Sequence, residues 1–132
     1  MERCGGKPLL EIIDHVQVPV ADLEEAIEWY TRHLGFQLDQ IATPELAFLH
    51  LSPGPALLLW KNEDQSTATF TKNGETMPVI GIASRNIQKL HDDLQTAMVR
   101  ITHFQDEGYG IVLKFLDPYG NMFVVHQDHD PK

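Results

Sequence analysis

Between Ile12 and Val18 the chain alternates. Ile12, Val16 and Val18 share one face of a strand and Ile13, His15 and Gln17 the other, because successive side chains leave a pleated backbone on opposite sides. Pro19 is expected to end that strand. Asp22 with Glu25 three residues on reads as a capping box opening a helix. Leu23, Ala26, Ile27, Tyr30 and Leu34 then recur at helical spacing as a single apolar stripe, and Gly35 suits the left-handed position after the last turn. The stripe has to cover the apolar face of the strand, which turns His15 and Gln17 away from the helix. Residues 36–42 alternate weakly. Residues 45–51 alternate well, with Leu46, Phe48 and His50 on one face and Ala47, Leu49 and Leu51 on the other. Ser52-Pro53-Gly54-Pro55 is a turn cluster, and Ala56 to Trp60 forms a last short strand. The series is β-α-β-β-β.

Residues 62–77 are polar and longer than most connections inside a domain, and read as a linker or a lid. From Pro78 the order restarts, at an offset of about 64 residues. Val79 to Ser84 reads as a strand, and Asn86 caps a helix whose stripe is Ile87, Leu90, Leu94, Ala97 and Met98. Strands follow at 100–104, 110–116 and 121–127. The pattern predicts an α+β domain of two paired β-α-β-β-β modules, 9–61 and 78–128. Each module covers one sheet face with its helix and leaves the other bare, so the bare faces have to pair, within a chain or between chains.

Composition narrows the partners. The chain has 132 residues and a net charge of −9, with only ten Lys and Arg. Nucleic acid and anionic membrane surfaces need a basic patch, and neither is expected as a partner. Cys4 is the sole cysteine, so no disulfide forms within the chain, and no apolar run approaches the roughly 20 residues that span a bilayer. The expected setting is cytoplasmic.

Several motifs in this order resemble the vicinal oxygen chelate superfamily, which includes glyoxalase I, extradiol dioxygenases and the fosfomycin and bleomycin resistance proteins. They are Asp14-His15-Val16, Val20-Ala21-Asp22-Leu23, Trp29-Tyr30, Leu34-Gly35-Phe36 and Asp117-Pro118-Tyr119-Gly120-Asn121. The resemblance implies U-shaped half-barrels with a concave ligand cavity, usually in a homodimer. Taken by itself, Asp117-Pro118-Tyr119-Gly120-Asn121 is a turn: Pro118 fixes φ, Gly120 accepts positive φ and Asp117 bonds the nearby backbone.

In metal-using members four cavity-facing positions hold a divalent ion. The resemblance places them here at His15, Leu58, Val79 and Val124. Three of these are hydrocarbon, and zinc wants at least three protein donors, so neither a metal nor another cofactor is expected. A variant site of His15, His50 and His126 is the metal-binding alternative. Without an ion the cavity floor is apolar. The expected ligand-binding residues are His15, Gln17, Phe48, His50, Trp60, Met122 and His126, a mixture suited to a small organic molecule. Lys114 is expected at a sheet edge with its head in water, and Tyr109 either as a gate or as a plain loop residue. The leading expectation is metal-independent binding of a small organic molecule. The alternative is a divergent glyoxalase-like lyase, isomerase or dioxygenase. Whether any reaction is catalysed is left open by the residues.

Overall fold

The computed structural model describes residues 8–130. Strand β1 (His15–Val20) leads into helix α1 (Leu23–Leu34). Strands β2 (Gln37–Thr43), β3 (Leu46–His50) and β4 (Ala56–Lys61) complete a sheet ordered β1-β4-β3-β2. After a hairpin of β5 (Thr69–Lys72) and β6 (Glu75–Pro78), the pattern repeats. It runs through β7 (Ile80–Ala83), α2 (Ile87–Thr96), β8 (Ile101–Asp106), β9 (Gly110–Leu116) and β10 (Met122–Asp128), in a sheet ordered β7-β10-β9-β8. The class is α+β as expected, with two open mixed sheets. In each, the first strand runs parallel to the last.

Local chemistry explains the boundaries. The Asp22 carboxylate accepts the Glu25 N–H at 3.0 Å to start α1, and Gly35 ends it at φ 80. The expected capping box is only half made, because the Glu25 carboxylate accepts the Tyr119 hydroxyl at 2.6 Å instead of turning back. Pro19 does not end β1, which runs on to Val20. β1 is an edge strand, where a missing N–H costs no ladder bond. The strand begins later than expected, at His15, and leaves Ile12 and Ile13 outside it and exposed.

Part of the segment expected as a linker or a lid forms the β5–β6 hairpin. Asn73 (φ 52) and Gly74 (φ 82) form a two-residue turn with both φ positive, which matches the twist of a hairpin and pairs Phe70 with Met77. In the second module Asn86 caps α2 as expected, accepting the Lys89 N–H at 3.3 Å. The helix stops at Thr96, short of the expected stripe. Met98 takes φ 62 and lies almost fully exposed, so it plays the terminating part a glycine often has and is no core residue.

The two modules share one core. Val18, Val20, Ala47, Leu49, Leu57 and Leu59 bring the inner face of the first sheet to it, and Leu113, Phe115, Phe123 and Val125 that of the second. Between them lies α1. The Tyr30 ring meets Phe123 edge-on at a centroid distance of 5.9 Å, and Trp29 meets Phe115 at 6.5 Å.

The Tyr30 hydroxyl donates to the buried Asp117 carboxylate, which also accepts the Asn121 side-chain amide at 2.8 Å and the backbone N–H groups of Tyr119 and Asn121. The Asn121 amide then donates to the Pro19 carbonyl at 2.8 Å and accepts the Ala68 N–H at 2.7 Å. The turn 117–121 is thus both the hairpin turn expected and a rivet between the modules. Because both inner faces meet this shared core, both bare faces point outward from it.

Burial first, and the adjoining Asp117 carboxylate second, push the Tyr30 phenol well above its ordinary value. The folded chain therefore keeps a proton that the unfolded chain releases near pH 10, and stability falls as pH rises past that point. Tyr30→Phe should cost about 1–3 kcal/mol at neutral pH by stripping a donor from a buried carboxylate. Urea titrations should also show a shallower alkaline decline for the variant; an unchanged midpoint at pH 7 would contradict the rivet.

Candidate ligand-binding faces

Strand register builds each outward face residue by residue. On the first sheet Gln17, Leu58 and Phe48 stand level across β1, β4 and β3, with Pro19, Trp60 and Leu46 on one side of that row and His15, Ala56 and His50 on the other. Alternation puts them all opposite the buried Val18, Leu59 and Leu49. The Trp60 indole N–H donates to Gln17 Oε1 at 2.6 Å, which fixes the ring while leaving it 39% exposed. Nδ1 of His15 lies 2.9 Å from Asp14, and Nδ1 of His50 lies 2.7 Å from Asp39.

On the second sheet, Val112 and Lys114 of β9 lie beside Val124 and His126 of β10. These four line a cavity of about 600 Å³ together with Met77 and Pro78 from the hairpin. His103, Glu107, Tyr109 and Asp128 complete the lining. His103 is held to Glu107 at 2.8 Å and His126 to Asp128 at 3.0 Å. The Gly108 N–H, and after it His129, keep the Asp106 carboxyl below its ordinary value, which pins the turn carrying Glu107 and Tyr109.

The expected site residues therefore divide between two surfaces. His15, Gln17, Phe48, His50 and Trp60 share the first sheet's face, whereas His126 lines the cavity on the second. Met122 is buried, 6% exposed, and outside that lining. Lys114 is not at an edge: β9 is an interior strand, flanked by β10 and β8. Met77 falls at the end of the segment read as a linker or a lid and Pro78 at the start of the second module, and the hairpin that joins them is signalled by Asn73-Gly74 between alternating residues. Gly81 stands level with Val124, and an added Cβ there would meet it at an ordinary 3.5 Å.

A divalent ion does not fit the four family positions. His15 offers a nitrogen, but Leu58, Val79 and Val124 have only hydrocarbon to offer. Nor are His15, His50 and His126 gathered into one donor set. Among the described residues no group of three or more His, Cys, Asp or Glu is arranged to hold a metal.

Residues 12–125 match the family model of the Glyoxalase/Bleomycin resistance protein/Dioxygenase superfamily, and the chain belongs to that superfamily. Among curated proteins, none matches the sequence. Solved structures share the fold at low identity. TnmS3, an antibiotic binding protein from Streptomyces sp. CB03234, is 17% identical with a TM-score of 0.74, over 93% of this chain and 100% of its own. TioX from Micromonospora sp. ML1 is 17% identical with a TM-score of 0.68, over 90% of this chain and 100% of its own. Lactoylglutathione lyase from Agrobacterium tumefaciens is 16% identical with a TM-score of 0.67, over 91% and 96% respectively.

Gly110, at the level of Asp128, supports the cavity wall. A Cβ there would stand 2.6 Å from the Gln127 carbonyl and 2.7 Å from Asp128 Cα, both backbone atoms that cannot swing aside. Gly110→Ala should destabilise the chain by about 2 kcal/mol or more, in the range of overpacked sites, with the largest amide shifts by NMR at 109–112 and 126–129. A variant of unchanged melting temperature and spectrum would contradict this close approach.

Proposed function

We propose that this superfamily member binds a small organic molecule without a metal, in a trough assembled from two copies of the chain. The observation that carries the reading is the outward direction of both bare faces from one shared core. A single chain offers the Trp60 face on one side and the Val124 face on another. Pairing the first face of one copy with the second face of its partner would enclose a ligand between them and cover exposed apolar surface such as Val79 and Trp60. The lining chemistry agrees: an anchored indole, a phenylalanine and a thioether suit a partly aromatic ligand. The antibiotic-binding neighbour of the same fold supports this reading by likeness.

A second reading, a divergent metal-dependent lyase, isomerase or dioxygenase, has one observation in its favour. Nδ1 of His15, His50 and His126 each rests on a carboxylate, the arrangement that orients Nε2 toward an ion in metalloproteins. The hydrocarbon side chains at the family positions weigh against it.

Sedimentation velocity at micromolar concentration should give a dimer. Dialysis against a chelator should leave both the dimer and its melting temperature unchanged. A stoichiometric metal in the purified protein, with a melting temperature that drops on chelation and with mutation of His15, would favour the enzyme reading. A monomer at all concentrations would remove the composite trough.

A further inference from the structure

Lys114 is out of place for a solvated surface lysine. It stands on interior strand β9, level with Val124 on β10 and His103 on β8, in the wall of the cavity. It is the one Lys or Arg in that lining. A lysine part-buried on a sheet face usually meets a carboxylate, and two stand in the same wall. Each is engaged elsewhere, Glu107 with His103 at 2.8 Å and Asp128 with His126 at 3.0 Å. No hydrogen bond or ion pair reaches the Lys114 ammonium from any described residue. Asp128 is level with Gly110, four residues back along β9, or roughly 13 Å at ordinary strand rise. Asp128 is therefore well separated from the ammonium, whereas Glu107 lies nearer, its carboxylate taken up by His103, which stands level with Lys114.

We infer that Lys114 anchors an anionic group of the ligand, so that the molecule taken up carries a carboxylate, sulfonate or phosphate next to an apolar body. The ammonium supplies point-charge attraction with three donors, next to hydrocarbon side chains in the same wall. The hydrocarbon of Val112, Val124, Met77 and Pro78 receives the body. This assignment rests on the binding reading above and adds the charge of the ligand, which neither the fold nor its relatives specify.

A matched dye pair tests it: 8-anilinonaphthalene-1-sulfonate, and N-phenyl-1-naphthylamine, which has the same rings and no charge. Both are titrated by fluorescence into the full chain and into Lys114→Met and Lys114→Arg, each variant first confirmed to melt cooperatively. The sulfonate should bind Lys114→Met on the order of tenfold more weakly, the loss typical of a hydrogen bond to a charged group. Lys114→Arg should retain it, and the neutral amine should bind all three proteins alike. Equal loss of both dyes, or no loss of either, in Lys114→Met would overturn the anion anchor while leaving the apolar cavity in place. If neither dye binds the wild-type chain, the cavity reading itself fails, and this assignment with it.

Discussion

One buried contact decides how the two halves of this chain face each other: the Tyr30 hydroxyl on the Asp117 carboxylate. Tyr30 comes from the helix of the first module and Asp117 from the turn before the last strand of the second, and both are shut away from water. A carboxylate there is tolerable only because its oxygens are saturated, by Tyr30, by Asn121 and by two backbone N–H groups. Asn121 carries the network on to Pro19 and Ala68, so strand, helix and connecting segment are tied at one point. The aromatic contacts of Tyr30 and Trp29 with Phe123 and Phe115 then fill the space around it.

With the helix-covered faces turned inward, alternation along each strand dictates what lies outside. Leu59 belongs to the core and Trp60 to the outer face; Leu113 belongs to the core and Lys114 to the cavity wall. The same period sorts most positions of the two sheets, although Leu58, Val112 and Met122 on the outer side are themselves buried. Exposed side chains on the outer faces can therefore be substituted with little disturbance of the shared core, so one fold can carry different surfaces.

Much of this was legible in the residues. The 3.6-residue stripe from Leu23 to Leu34, the cap at Asp22 and the αL glycine at 35 identify α1, and the repeat of the series after Pro78 identifies the pairing of modules. What escaped had specific physical causes. Met98 fits the periodicity of the second stripe, yet the helix unwinds before reaching it, and periodicity alone does not register a residue driven to positive φ. Pro19 looked like a strand end because nothing local says that its strand is an edge. Lys114 was misplaced for the same reason: edge or interior is a property of strand order, which is decided by long-range pairing. The division of the candidate residues between two outward surfaces depends on the Tyr30 to Asp117 contact, and a tyrosine and an aspartate 87 positions apart carry no local sign of it.

The most direct test of a binding trough shared between copies is complementation between two defective variants. Trp60→Ala damages the first face and Val124→Lys the second, and each homodimer should lose N-phenyl-1-naphthylamine binding. After the two are mixed, unfolded together and refolded, random pairing yields heterodimers in which one of the two troughs has both faces intact. The account predicts that about one quarter of the wild-type sites return at wild-type affinity. A mixture with no more sites than its separate components would contradict it.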